Sequence, residues 1–196
     1  MDLAGTYIYS WLRVSAAIDV TAIDRAVKIL ADARDRDAAV WTAGNGGNSA
    51  LASHLAIGLT LNTRRSGGQP FRSMCLSADA AALSAAINDF GADDALRIIL
   101  ECNGRSGDVL CAFSVSGESA NVNRAVAAAK EMGIQVVALV GESESTLARL
   151  ADYAILLGSI EPGIAEDVAS AVMHSMYCTF MYENAESLPS EFADAD

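Results

Sequence analysis

The chain has 196 residues, of which 52% are hydrophobic and 19% charged, and its formal net charge is −12. This length can bury one full core, whereas no apolar run reaches the roughly 18 residues that a membrane-spanning helix needs. The acidic balance and the lack of a basic stripe exclude a nucleic-acid surface. We therefore expect neither nucleic acid nor a membrane as a partner. Because Met1 to Ala4 lack the basic segment of a signal peptide, we expect a cytoplasmic protein.

Two helices are predicted before the first strand. The stretch 4–14 is apolar, and Ile23, Val27 and Leu30 recur at helical spacing behind Asp19. In the first helix, the side chains of Tyr7, Ile8, Trp11 and Leu12 form more apolar surface than a small monomer leaves exposed, which predicts an interface.

Short apolar runs then alternate with helical segments. Strands are predicted at 39–43, 73–76, 109–113, 135–139 and 153–157, and helices at 48–61, 80–87, 92–103, 119–132 and 164–182. This alternation predicts an α/β fold with a mostly parallel sheet covered on both faces. We expect one domain over residues 1–182 and a flexible acidic tail over 183–196.

The four cysteines are scattered and form no C-x-x-C pair. Their apolar surroundings predict buried free thiols at Cys75, Cys102, Cys111 and Cys178. We assign them no role.

Two predicted strands each lead into a turn of small, donor-rich residues that opens a helix. The first turn reads GNGGNS from Gly44 to Ser49, and the second reads SVSGES from Ser114 to Ser119. Such turns leave backbone N–H groups and hydroxyls directed at one point, where the helix dipole favours an anion. Ordinary strand-to-helix turns have similar composition, but two in one chain favour a ligand site.

Nucleotide motifs are missing from these turns. Ser49 stands where G-x-G-x-x-G requires its third glycine, and no Gly-Lys-Ser/Thr follows. The sequence therefore predicts no nucleotide cofactor, and a compact phosphate or phosphosugar remains as the ligand.

Several spaced motifs together resemble a known family. They are Gly44-Asn45-Gly46-Gly47, His54 nine residues after Asn45, Asn88-Asp89-Phe90-Gly91, and the run from Gly107 to Val122. Over about residues 20 to 182 the chain resembles the sugar isomerase (SIS) domain, and within it the phosphoheptose isomerase group. Those enzymes convert sedoheptulose 7-phosphate to D-glycero-D-manno-heptose 7-phosphate.

The resemblance implies a flavodoxin-like α/β/α sandwich, a homotetramer and active sites at subunit interfaces. It implies that the glycine turn contacts the sugar, that three serines hold the phosphate, and that two residues near position 90 complete the pocket. In this sequence the substrate-binding residues would be Asn45, Gly46, Gly47, Asn48, Asn88, Asp89, Ser114, Ser116 and Ser119.

An aldose–ketose isomerase needs one group that takes a proton from carbon and another that manages the charge on oxygen. The two histidines, His54 and His174, both fall at positions that resemble functional ones of the family. Because positions 166, 170 and 174 share one helix face, we expect Glu166 and His174 to reach the same cavity. A lone histidine on an apolar helix more often packs in the core, but these paired placements favour catalysis. Glu166 is the expected base and His174 the expected acid.

One position departs from the family pattern. The family carries a glutamate, a base and metal ligand, four residues after the first histidine, and this chain has Gly58 there. Glu166 in turn replaces a family glutamine. A compensating exchange would leave His54, Glu166 and His174 as three ligands for a zinc ion with an open fourth position. Two alternatives remain: a catalytically silent scaffold that binds a phosphosugar or a protein, and an isomerase of another phosphosugar.

Overall fold

A computed structural model describes residues 2–186 and 188–192, and its centre is a five-stranded parallel sheet. The strands are β1 (Ala39–Ala43), β2 (Arg72–Cys75), β3 (Val109–Ser114), β4 (Gln135–Val140) and β5 (Tyr153–Leu156). Their order in the sheet is β2-β1-β3-β4-β5, and every neighbouring pair is parallel. All five predicted strands and their parallel arrangement are confirmed.

Helices cover both faces of the sheet. They are α1 (Leu3–Ser15), α2 (Val20–Asp35), α3 (Gly46–Ile57), α4 (Thr63–Arg65), α5 (Ala80–Phe90), α6 (Ala95–Asn103), α7 (Ala120–Glu131), α8 (Thr146–Leu150) and α9 (Pro162–Met181). A π-helical segment, Gly58–Asn62, joins α3 to α4, and a short 3₁₀ turn spans Ser190–Phe192.

Two hydrophobic clusters show the layers. One joins α2, α3 and α9 to Val40, Cys111 and Phe113 of the sheet, whereas the other joins α6, α7 and α8 to Leu110 and Ala112. Successive residues of a strand point to opposite faces, so β3 contributes to both clusters, and all six of its residues are buried. The α/β/α sandwich expected for the chain is confirmed.

Two helices extend beyond their predicted ends. The helix predicted over 48–61 begins at Gly46 and continues through the π-helical segment to Arg65. The helix predicted over 80–87 runs to Phe90 and ends before Gly91, whose φ of +85° few other residues adopt. Asn88 and Asp89 therefore lie on a helix and not in a connecting loop.

Helix α1 packs against α9 but contains no buried residue. Its exposed apolar side chains are Leu3, Ile8, Tyr9 and Leu12. Of the four residues predicted to form its apolar surface, Trp11 packs against the core. The Tyr7 hydroxyl donates to Asp167 Oδ2 at 2.7 Å, and this hydrogen bond raises the pKa of Tyr7 to about 12.

The start of the predicted tail contacts the domain. Arg34 donates two hydrogen bonds to the Glu183 carboxylate, at 2.8 and 3.0 Å, and its guanidinium lies over the rings of Phe71 and Phe180. Ser187 and residues 193–196 of that tail lie outside the described residues. In the described ranges no helix has both the length and the apolarity to cross a membrane.

All four cysteines are free. Cys75 and Cys111 are buried, as predicted, and burial raises the pKa of Cys111 to about 12. Cys178 is half-buried. The prediction was wrong for Cys102, which is exposed near the end of α6.

Candidate functional site

The two donor-rich turns meet at one edge of the sheet, because β1 and β3 are parallel neighbours and each turn follows the carboxyl end of its strand. A cleft of about 490 Å³ lies there. It is lined by Asn45, Asn48, Phe113, Ser114, Val115, Ser116, Ser119, Glu142, Ile160, Pro162 and Glu166. Residues that lie far apart in the sequence are thus brought together, including all three predicted phosphate-binding serines.

The backbone of the serine turn donates to two of its own hydroxyls. Gly117 N donates to Ser114 Oγ at 3.1 Å, and Glu118 N donates to Ser116 Oγ at 3.2 Å. Ser114 Oγ and Ser119 Oγ lie 3.2 Å apart. Ser114 Oγ and Ser116 Oγ accept backbone N–H groups, and the contact between Ser114 and Ser119 uses one hydroxyl hydrogen, so the turn retains O–H groups that can donate to an anion. We call Ser114, Ser116 and Ser119 the serine cradle.

The turn of the serine cradle is fixed to the start of α8. The Glu118 carboxylate accepts from both the backbone N and the hydroxyl of Thr146, each at 2.7 Å. These hydrogen bonds lower the pKa of Glu118, and Leu147 N donates to Gly117 O at 2.9 Å. The positions of the hydroxyls are therefore set before any ligand arrives.

The glycine turn supports the carboxylate of Glu166. Asn48 Nδ2 donates to Glu166 Oε1 at 3.1 Å. A Cβ at Gly47 would lie 2.2 Å from Glu166 Oε2, so a side chain at this position would push the carboxylate aside. Gly47 thus lies against the Glu166 carboxylate and does not itself line the cleft.

Asn45 and Gly46 border a second pocket. The side-chain amides of Asn45 and Asn121 donate to each other, both at 2.8 Å. On the far side of this amide pair is a pocket of about 310 Å³, lined in part by Gly44, Gly46 and Ser49. Asn45 belongs to both cavities, and the amide pair forms part of the wall between them.

Asn88 and Asp89 do not line the cleft in a single chain. Both are exposed on α5, and Asn88 Nδ2 donates to Asp89 Oδ1 at 2.7 Å. Helix α5 packs against α6 and buries only Ala86 among its described residues, so these two side chains face outward.

The two histidines lie against each other. The ring centroids of His54 and His174 are 4.8 Å apart with the rings nearly perpendicular, and the Tyr177 ring lies 6.0 Å from His54 and 5.3 Å from His174. His174 Nδ1 lies 2.6 Å from the backbone oxygen of Ser170, to which it donates, so its Nε2 remains available. Burial, with a smaller contribution from the charge of His174, lowers the pKa of His54.

The predicted three-ligand zinc site is not formed. Glu166 is held by Asn48, and eight helical residues place it about 12 Å along the α9 axis from His174. No group of three or more His, Cys, Asp or Glu side chains within the described ranges could hold a metal ion. Sharing a helix face was therefore not enough to bring Glu166 and His174 to one ion.

Tyr177 occupies the space beside Gly58. A Cβ at Gly58 would lie 2.3 Å from Tyr177 Cδ1 and 2.5 Å from Cγ. Tyr177 is buried, so its ring fills this space in the structure.

Glu142, Ile160 and Pro162 line the cleft but were not predicted from the sequence. Glu142 follows β4 by two residues, so the rule that ligands bind beyond the carboxyl ends of parallel strands could have identified it. Ile160 lies between β5 and α9 and Pro162 is the first residue of α9, where no polar pattern marks a ligand.

Comparisons with known proteins identify relatives of this chain. A family model described as the SIS domain matches residues 7–141, and a second SIS domain model matches 103–182. The phosphoheptose isomerase of Chlorobaculum parvum is 40% identical over 119 residues, which are 60% of this chain and 57% of that protein. The phosphoheptose isomerase of Escherichia fergusonii is 39% identical over 137 residues, 70% of each chain.

Two solved structures of phosphoheptose isomerases are also similar to this chain. The phosphoheptose isomerase from Neisseria gonorrhoeae superposes with a TM-score of 0.81 at 28% identity, over 90% of this chain and 96% of that one. A phosphoheptose isomerase from Francisella tularensis gives a TM-score of 0.85 at 24% identity, over 93% and 98% of the two chains, and shows the shared fold.

Proposed function

The chain belongs to the SIS domain family, and on that premise we propose that it is a phosphosugar aldose–ketose isomerase. Its proposed reaction converts sedoheptulose 7-phosphate to D-glycero-D-manno-heptose 7-phosphate, the reaction of the group that it resembles. One observation carries the proposal: a single cleft contains the hydroxyls of the serine cradle and the carboxylate of Glu166.

The serine cradle would hold the phosphate through neutral donors. The cleft is lined by no Lys, Arg or His of the described chain, whereas three hydroxyls lie at the turn that leads into α7. Hydroxyls, backbone N–H groups and the start of a helix are sufficient to bind a phosphate. They would anchor the substrate at its phosphorylated end.

Glu166 is the proposed base. Isomerisation moves one hydrogen from carbon to the neighbouring carbon and a second from hydroxyl oxygen to carbonyl oxygen, with no net oxidation. The Glu166 carboxylate would take the proton from carbon and return it to the neighbour, while Asn48 keeps the carboxylate oriented.

His174 is the proposed acid. Its Nε2 remains free because Nδ1 donates to Ser170 O. His174 does not line the cleft, and the base and the acid act on neighbouring atoms, so this role requires C1 and C2 of the sugar to lie beside Ser170, between the Glu166 and His174 side chains. The proposal includes no metal step, because His54, Glu166 and His174 do not form a metal-binding group.

The glycine at position 58, where the family has a glutamate, favours a second candidate function. In that case the protein is a silent scaffold that binds a phosphosugar without turning it over. Incubating purified protein with sedoheptulose 7-phosphate and following the products by NMR separates the two. We expect the aldose phosphate to appear. Binding without turnover of pentose, hexose or heptose phosphates would favour the scaffold, and turnover of another phosphosugar alone would change the substrate assignment.

Ser116→Ala is expected to weaken phosphosugar binding by roughly 1–3 kcal/mol, the usual cost of losing a hydrogen bond to a charged group. Ser116 lines the cleft, and its hydroxyl accepts only from the neighbouring turn. Calorimetry with the wild-type protein as reference measures the change. Ser175→Ala, on the exposed part of α9, is the matched control and should leave the affinity unaltered. An unchanged affinity for Ser116→Ala would remove this serine from the cradle.

We also propose a cytoplasmic homotetramer. The four free thiols suit a reducing compartment, and α1 exposes Ile8, Tyr9 and Leu12 on one short helix. Light scattering should report four chains per particle, and Tyr9→Glu should dissociate them, while Lys28→Glu, at an exposed position of α2, should not. A monomer at micromolar concentration contradicts the proposal.

A further inference from the structure

We propose that Tyr177 blocks a latent transition-metal site. Its ring fills the space from which a side chain at position 58 would complete a three-ligand set with His54 and His174. The inference concerns metal binding alone and holds whether or not the protein is an isomerase.

The geometry places position 58 beside the histidine pair. Gly58 follows His54 by four residues with helical φ and ψ of −57° and −49°, so the two positions share one face. His54 in turn contacts His174 edge to face. A ligand at position 58 would therefore stand next to both imidazoles, in the i, i+4 arrangement by which a helix presents two metal ligands.

The space at that position is already occupied. A Cβ on residue 58 would lie 2.3–2.8 Å from three atoms of the Tyr177 ring, closer than any real contact. Tyr177 and Asn62 line one pocket, in which neither histidine takes part. The phenol thus fills the space and does not replace the missing ligand.

No other described side chain completes the set. Two imidazoles supply two of the three protein ligands that a catalytic zinc ion uses. Glu166, the acid on the same face of α9, is held by Asn48 two turns away. The pair is thus left with two nitrogen ligands, and we expect wild-type protein to bind zinc weakly.

A double substitution tests the inference through zinc binding. Zinc is titrated by calorimetry into the wild type, Gly58→Glu, Tyr177→Ala and the double variant, and the zinc content after purification is measured by mass spectrometry. Only the double variant should gain affinity, by about 100-fold over wild type, the scale on which completing a metal site acts. Adding His54→Ala to the double variant should abolish the gain.

Thermal unfolding tests the steric part of the inference. Gly58→Glu alone should lower the melting temperature, and Tyr177→Ala should suppress that loss, so that the two effects are not additive. Tyr177→Phe, which keeps the ring, should bind zinc as weakly as wild type and should leave the loss caused by Gly58→Glu unsuppressed.

Three results would overturn the inference. The first is wild-type protein that holds one zinc ion per chain through His54, which would mean that a third ligand exists. The second is Gly58→Glu that is as stable as wild type and binds zinc as tightly as the double variant. The third is a folded double variant without the gain. If the double variant does not fold, the zinc titration of the wild-type protein alone tests the inference.

Discussion

Glu166→Gln is expected to lower turnover of the phosphosugar by roughly 10²–10⁴-fold, the factor that a positioned general base contributes. The glutamine amide has the shape of the carboxylate and can still accept from Asn48 and lie over Gly47. It cannot take a proton from carbon. Binding of the phosphosugar should therefore change little, because the serine cradle is untouched, and kcat should fall while KM stays close to its wild-type value.

The matched control is Glu142→Gln, which neutralises the other carboxylate of the cleft. We expect its kcat to stay within about tenfold of wild type, since a nearby charge that is not the base acts only through the local potential. Equal losses in both variants would indicate that the charge of the cleft matters and not proton transfer. If Glu166→Gln is no slower than wild type, the base lies elsewhere, and Asp89, exposed on α5, would be the next candidate only if a neighbouring chain of the proposed tetramer brings it to the cleft.

Asp108→Ala is expected to lower the free energy of unfolding by about 3–5 kcal/mol, the cost of removing one partner from a buried charged hydrogen-bond network. Asp108 is 6% exposed, and its carboxylate accepts from Ala39 N, Trp41 Nε1 and Arg105 N at 2.8–2.9 Å. It joins the start of β1 to the turn before β3. Urea unfolding followed by far-UV circular dichroism measures the loss.

Asp93→Ala is the control for the same chemical change at the surface. Asp93 pairs with Arg124 in a contact whose side chains are 58% and 48% exposed, so its removal should cost less than about 1 kcal/mol. Equal costs in the two variants would show that Asp108 does not stabilise the sheet through its three hydrogen bonds.

Much of the fold was predictable because its signals are local. Apolar runs such as those at 109–113 and 135–139 are typical of strands buried on both faces, and both are strands in the structure. The serine cradle was also predictable, since its three members lie within six residues of one turn. Helix ends were predicted less well, because the π-helical segment after Ile57 and the extension of α5 to Phe90 have no pattern of their own.

The centre of the site depends on contacts that no local pattern contains. Helical periodicity places Glu166 and His174 on one face of α9. It does not show that about 12 Å of helix axis lies between them, or that Asn48 holds the Glu166 carboxylate. In the sequence, nothing distinguishes Tyr177 from the apolar residues around it in a long helix. Only packing shows that it lies against Gly58, which is more than a hundred residues earlier.

The sheet order has a consequence for how the chain acquires its structure during synthesis. β1 is the first strand to leave the ribosome, but its neighbours β2 and β3 are made later, and β3 follows only after α5 and α6. Until then one edge of β1, with Val40 and Trp41, has no partner. Pairing between distant segments is slow and exposes apolar edges to association. The cleft, which straddles β1 and β3, can therefore form only after more than half of the chain has emerged.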